Sequence, residues 1–193
     1  FNNGYFWYYE FKKTMKERNK NKILLLPLLF LIILTSFLFI FLLSEKDPSK
    51  PPSALINQEL PNFTAKDLYN EEINLTNKEI MGRQILINFF ASWCLPCKAE
   101  HEFFYLIKET DPDLYIIGFN HKDKKEDAIK FLKENGNPYN FTGVDSNGAI
   151  ALEFGVFGLP ETFLTNKEGN IIFKNTGPLT KKIIKNEIIP LLH

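Results

Sequence analysis

From residue 23 the chain turns uncharged and almost wholly apolar. Residues 23–43 (ILLLPLLFLIILTSFLFIFLL) form a run of 21 positions without a charge, long enough to span a bilayer core as a helix. Pro27 falls in its first turn or two, where a missing N–H costs least. No polar face exists to meet solvent, which excludes a buried helix of a globular core. A secretory leader has a shorter apolar run followed by small residues at a cleavage site. This run instead ends Phe41-Leu42-Leu43-Ser44-Glu45, and the pattern predicts an uncleaved single-pass anchor over residues 23–43.

A polar, proline-rich stretch follows, Asp47-Pro48-Ser49-Lys50-Pro51-Pro52-Ser53, and residues 44–54 read as a short semi-rigid linker. The pattern then becomes an alternation of short apolar runs and amphipathic segments. Residues 60–68 and 72–75 predict a pair of short strands. Residues 84–90 (QILINFF) have the length and character of a buried central strand. Residues 98–109 predict a helix with Phe103, Leu106 and Ile107 on one side, and residues 114–119 (LYIIGF) a second buried strand. Asp123 and Glu126 read as a capping pair for a helix through Ala128, Ile129, Phe131 and Leu132, stopped by Asn135-Gly136-Asn137-Pro138. A strand near 141–144 and a helix over 149–154 come next. A β-hairpin follows, with strands 161–165 and 171–174 joined by a turn over 166–170. Thr180 then caps a last amphipathic helix through Ile183, Ile184, Ile188 and Ile189. This order predicts one α/β domain over residues 55–193, with helices on both faces of the sheet.

Charge orients the assembly. Lys12, Lys13, Lys16, Arg18, Lys20 and Lys22 precede the apolar run, whereas only Lys46 and Lys50 follow it closely. The positive-inside bias therefore puts residues 1–22 in the cytoplasm and the domain across the membrane. The neutral whole chain hides a split: from residue 51 onward there are 15 Lys/Arg against 19 Asp/Glu, a net of −4, and the first fifty residues carry +4. No basic patch on the outer domain suggests nucleic acid. Residues 1–14 (FNNGYFWYYEFKKT) precede Met15-Lys16-Glu17-Arg18, which resembles an ordinary start ahead of an anchor. Those fourteen residues are expected to be an over-extended reading frame, which N-terminal mass analysis of the native protein would test. The rival is an aromatic interfacial segment.

The candidate chemistry lies in Cys94-Leu95-Pro96-Cys97, which holds the only two cysteines in the chain. Two thiols at this spacing close to a disulfide or open to a dithiol. If Cys94 opens the helix, its thiolate is stabilised by unpaired N–H groups and the positive end of the dipole. Cys97, one turn further in, is then the shielded partner, and Trp93 packs beside the turn as part of a docking surface. Two alternatives stay open. A purely structural disulfide would constrain little chain in so short a loop. A metal site with His101 would need two more soft ligands, and there is no further cysteine. A Sco-type copper carrier uses a wider cysteine spacing and a distant histidine, for which His121 or His193 are the candidates.

Residues 93–101 (WCLPCKAEH) resemble the active-site stretch of membrane-anchored thioredoxin-like proteins. Residues 155–164 (GVFGLPETFL) resemble the GVxGxPETF signature of the CcmG/DsbE thiol–disulfide proteins of cytochrome c maturation, and residues 135–139 the entry to that branch's central insertion. The resemblance covers roughly residues 54–192 plus the anchor. It implies a thioredoxin-like α/β fold, a central mixed sheet flanked by helices, with an N-terminal extension and a central insertion. It implies that Pro160 is a cis-proline beside a Cys94–Cys97 disulfide, and that Leu159 offers its backbone to an extended substrate alongside Trp93. Asn88 stands where ordinary thioredoxin has a buried Asp, and Asn cannot accept a proton from Cys97. Glu100, three residues on and so on the same helix face, is the implied proton acceptor, with Glu161 a second nearby acid. His101 reads as surface.

The function implied is a periplasmic, inner-membrane disulfide reductant with no cofactor. Cys94 would be the nucleophile and Cys97 the resolving thiol. The substrate implied is the oxidised haem-attachment CxxCH of apocytochrome c or another maturation component, with a membrane electron donor of the CcdA/DsbD kind. The rivals are a TlpA/ResA-type general reductant and, from another class, a membrane-tethered copper metallochaperone.

Overall fold

The structure, a computed structural model, describes residues 3–43 and 55–192 and divides into two units, Phe1–Pro51 and Pro52–His193. The predicted linker and His193 lie outside the described residues. The described part of the first unit is one helix, α1 (Asn3–Leu43), with Pro27 inside it. The described side chains from 26 to 41 are all exposed, and the Thr35 hydroxyl satisfies itself on the carbonyls of Leu31 and Ile32. Among the described residues no helix is long and apolar enough to cross a membrane.

The second unit is organised by β3 (Ile85–Phe90), whose six residues are all buried. It pairs in parallel with β4 (Tyr115–His121), which pairs in parallel with β5 (Phe141–Asp145). On its other edge β3 meets β6 (Glu161–Thr165) antiparallel, and β6 turns back into β7 (Ile171–Thr176). Two short strands, β1 (Thr64–Asp67) and β2 (Asn74–Thr76), join antiparallel beyond β5. The seven-stranded order is β2-β1-β5-β4-β3-β6-β7. This is the mixed sheet expected, with β1 and β2 as the N-terminal addition.

Strand alternation divides the core in two. Leu86 and Phe90 of β3 face one apolar layer, with α3 (Phe103–Thr110), α4 (Lys125–Asn135) and the C-terminal segment. Ile85, Ile87 and Phe89 face the other, with α5 (Ala149–Glu153) and the five-ring cluster Phe63, Phe89, Phe119, Phe154 and Phe163. Asn88, between Leu86 and Phe90 in the alternation, belongs to the first face.

Three local expectations are corrected. The helix predicted over 98–109 is two helices, α2 (Leu95–Glu100) and α3, broken by a turn at His101-Glu102. Its buried face is accordingly Phe104 and Ile107, with Phe103 half-buried and Leu106 38% exposed. Asp123 does not cap α4: the N-cap is Lys124, with no side-chain bond, and the Asp123 carboxylate is used elsewhere. The last helix does open on Thr180, whose hydroxyl accepts from Ile183 N–H. It begins as α6 (Lys181–Ile183), widens to a π turn (Ile184–Ile188) and tightens to a 3-10 turn (Ile189–Leu191), where Pro190 has no N–H to continue an α ladder.

Candidate active site

Beyond the end of β3 the chain turns through Ala91, Ser92 and Trp93, and Cys94 N–H donates to Ala91 O at 3.2 Å. Cys94 is the N-cap of α2, and its Sγ accepts from Cys97 N–H at 3.2 Å. Pro96 lies in the first turn, where its missing N–H leaves no bond unmade. The two sulfurs are joined, with the Cα atoms 5.3 Å apart. Both cysteines are buried, whereas the flanking Trp93 and Leu95 are 62% and 78% exposed.

Glu100 points inward from the same helix and is buried. Its Oε1 accepts from Asn88 Nδ2 at 2.8 Å and its Oε2 from Leu179 N–H at 2.6 Å. Asn88 also donates to Thr162 Oγ1 and accepts from Tyr139 O–H at 2.8 Å, so both ends of its amide are used. Burial pushes the Glu100 carboxyl up to about 7, against the two hydrogen bonds that favour its charged form. Tyr139 is raised as well, by burial first and then by the charge on Glu100. Gly118 is the partner of Asn88 across β3 and β4, and a Cβ there would lie 2.6 Å from the Tyr139 ring. An acid of nearly neutral pKa on the Cys97 helix, held by an Asn on the strand, can take or give a proton at the pH where thiols exchange.

The Leu159-Pro160 peptide is cis, as expected. Pro160 leads into β6, and Glu161 is paired with Phe89 near the end of β3, so the proline and the cysteine turn lie at one end of the sheet. Glu161 is fully buried, but it faces a cation. Its Oε1 accepts from Phe157 N–H at 3.0 Å, and its Oε2 lies 3.0 Å from Lys174 Nζ, close but not aligned as a hydrogen bond. Lys174 donates in turn to Gly155 O at 3.0 Å. The pair pins the loop before Pro160, and the rise at Glu100 comes from burial rather than from a neighbouring carboxylate.

His101 is a correction: it is buried, not surface. The helix break turns it inward, where its Nε2 lies 2.7 Å from Gly136 O and its ring meets Phe131 and Tyr139 edge-on. Burial lowers its pKa and favours the neutral ring. His121 is tied through Nδ1 to buried Asp145 at 2.8 Å. Among the described residues no group of three His, Cys, Asp or Glu side chains converges on a metal-sized site. A groove of about 310 Å³ runs between Trp93, the residue before Cys94, and the loop at Val156, Phe157 and Leu159. Tyr139, Thr162, Leu179 and Lys174 were not singled out from the sequence. Tyr139 and Thr162 carried a signal, as members of the 135–139 and 155–164 stretches.

A disulfide capping the helix that follows a buried strand, with a cis-proline at the same end of a mixed sheet, defines a thioredoxin-like thiol–disulfide oxidoreductase. Residues 55–188 match the redoxin family. The chain is 36% identical over 176 residues to the thiol:disulfide interchange protein DsbE of Escherichia coli, covering 89% of this chain and 94% of that one. It is 39% identical over 149 residues to the thiol:disulfide interchange protein CycY of Rhizobium leguminosarum, covering 76% and 78%. In fold it is similar to a crystal structure of a DsbE-type protein from Chlorobium tepidum, at TM-score 0.62, 22% identity, 72% of this chain and 97% of that one. The chain belongs to the redoxin family, within its DsbE/CycY group of thiol:disulfide interchange proteins.

Proposed function

We propose that this oxidoreductase works as the membrane-tethered periplasmic reductant of cytochrome c maturation. The observation that carries the exchange chemistry is the buried Glu100, bonded to Asn88 and Leu179 on the helix that presents Cys97, with its carboxyl raised to about 7; the reductive direction rests on the likeness of residues 155–164 to the CcmG/DsbE signature. The Cys94 thiolate attacks a substrate disulfide, forming a mixed disulfide and releasing one substrate thiolate. Cys97 passes its proton to Glu100 and attacks Cys94 Sγ. The second substrate thiolate leaves, and Cys94 and Cys97 close to the disulfide. Two electrons have moved to the substrate, and a membrane dithiol donor of the CcdA/DsbD kind restores the reduced protein. The 155–164 signature supports a haem-attachment CxxCH, or a maturation component, as substrate, with Leu159 and Trp93 holding it. Residues 23–43 serve as the anchor, which concentrates the domain beside a membrane-bound assembly apparatus.

Trapping with Cys97→Ser in native membranes tests this. The expected product is a mixed disulfide through Cys94 to an apocytochrome c or a maturation component. Recovery of unrelated secreted proteins alone would favour a TlpA/ResA-type general reductant. Stoichiometric copper retained on purification without reductase activity would favour a metallochaperone, and a weakly reducing potential would reverse the direction.

A further inference from the structure

The residues just before Cys94 are held by a carboxylate from another part of the chain. Asp123 Oδ2 accepts from Ser92 N–H at 2.6 Å and Oδ1 from Ser92 Oγ–H at 2.8 Å. The same oxygens take Asn120 Nδ2 at 2.9 Å and Lys124 N–H at 2.9 Å. One residue earlier, the carbonyl of Lys122 accepts from the Trp93 indole N–H at 3.2 Å. This carbonyl is presented by a backbone at φ 45°, a conformation rare for lysine. The Lys122 N–H is itself fixed on Asp145 O at 3.0 Å, and Asn120 is buried in β4 beside Phe90 of β3. The connection from β4 to α4 is thus a rigid base, and three bonds from it secure Ser92 and Trp93.

We propose that Asp123 is a positioning residue for thiol–disulfide exchange. Through Ser92 it fixes the turn that sets Cys94 Sγ at the start of α2, within reach of Cys97 N–H, and it holds the Trp93 ring as a standing wall of the groove. The donor arithmetic demands a carboxylate. Each oxygen receives two donors, at least one of them an N–H, and charge-assisted bonds of this kind are the strong ones. Asparagine has nearly the same shape, but in either orientation its NH₂ faces an N–H, so it fails as a substitute.

The test uses the full-length protein in a Trp7→Phe background, which leaves Trp93 as the sole indole. Rates of exchange with a small aliphatic disulfide are corrected for folded fraction, and the fluorescence anisotropy of Trp93 is measured alongside. Asp123→Asn should lower the rate about ten- to a hundredfold, the scale of a misplacement near 1 Å, and lower the anisotropy. Ser92→Ala, which loses one bond of the set, should move both in the same direction by less, and it decides the matter if Asp123→Asn does not fold. Folded Asp123→Asn or Ser92→Ala with wild-type rate and anisotropy overturns the proposal. A small disulfide needs no maturation partner, so failure of the cytochrome c reading leaves this test intact.

Discussion

The proton transfer proposed for Glu100 ties exchange to stability at the scale of one residue. Its carboxyl is raised from 4.5 to about 7 in the folded protein, so the folded state binds the extra proton between those values. The associated stability is fully present below about pH 4.5 and is lost as pH rises through 7. The wild-type protein is expected to lose about 3 kcal/mol over that range, read by urea unfolding of the disulfide form, and Glu100→Gln to lose that dependence. Exchange should show the opposite sense. Resolution by Cys97 should accelerate as pH rises through about 7, where Glu100 becomes an acceptor, and Glu100→Gln should flatten that limb of the profile in stopped-flow measurements. Lys174 gives a second residue-scale outcome. Lys174→Met leaves the Glu161 carboxylate buried without its cation and should cost about 3–5 kcal/mol, whereas Lys174→Met with Glu161→Gln should recover much of that in the same unfolding experiment. The placement of Cys94, Cys97 and Glu100 was legible because it rests on spacing along one helix. The partners of Glu161 and Asp123 were not, because an ion pair between β6 and β7, or a carboxylate reaching back to Ser92, leaves no periodic trace. Asp123 followed by Glu126 satisfied a local capping rule while serving a distant loop.

Elements were readable where burial on both faces makes the sequence continuous, as in β3, or where a turn has its own chemistry, as in the hairpin closed by Gly169. The limits of the reading show at the helix after the cysteines. Apolar periodicity runs through residues 98–109 without a gap, yet the chain breaks at His101 because its ring is needed inside, against Phe131 and Tyr139. No local propensity announces such a break. The contact between β4 and the stretch joining α4 to β5 makes an element-scale prediction. Gly118→Ala would drive a methyl into the Tyr139 ring at 2.6 Å, and overpacking of this kind costs about 1–3 kcal/mol. Displacing Tyr139 also frees the Asn88 carbonyl, so the pH midpoint of exchange should shift together with the unfolding midpoint. A fall in stability with an unmoved pH profile would show that the ring only fills space.

For the whole molecule, the order of strands and helices in the second unit followed from the alternation of patterns, while the pairing of β5 between β1 and β4 did not. Short edge strands such as β2 carry too few residues to specify a partner. The separation into Phe1–Pro51 and Pro52–His193 gives the molecular-scale prediction. If residues 23–43 are the anchor proposed above, removing residues 1–43 should release the oxidoreductase from the membrane fraction while its rate towards a small disulfide stays within about twofold, since every described residue of the site belongs to the second unit. Cell fractionation and the exchange assay check the two halves of that statement.

The Glu100 carboxylate also has one hydrogen bond from far down the chain, the Leu179 amide at 2.6 Å, just ahead of the closing helix, whose far end is fastened by Gln84 Nε2 on Leu191 O. The closing helix is therefore a tuning peg for the Glu100 carboxyl. A fusion or truncation that loosens this tail removes a donor that favours the charged acid, raising its pKa further and moving the working range of the enzyme to more alkaline conditions, without touching either cysteine.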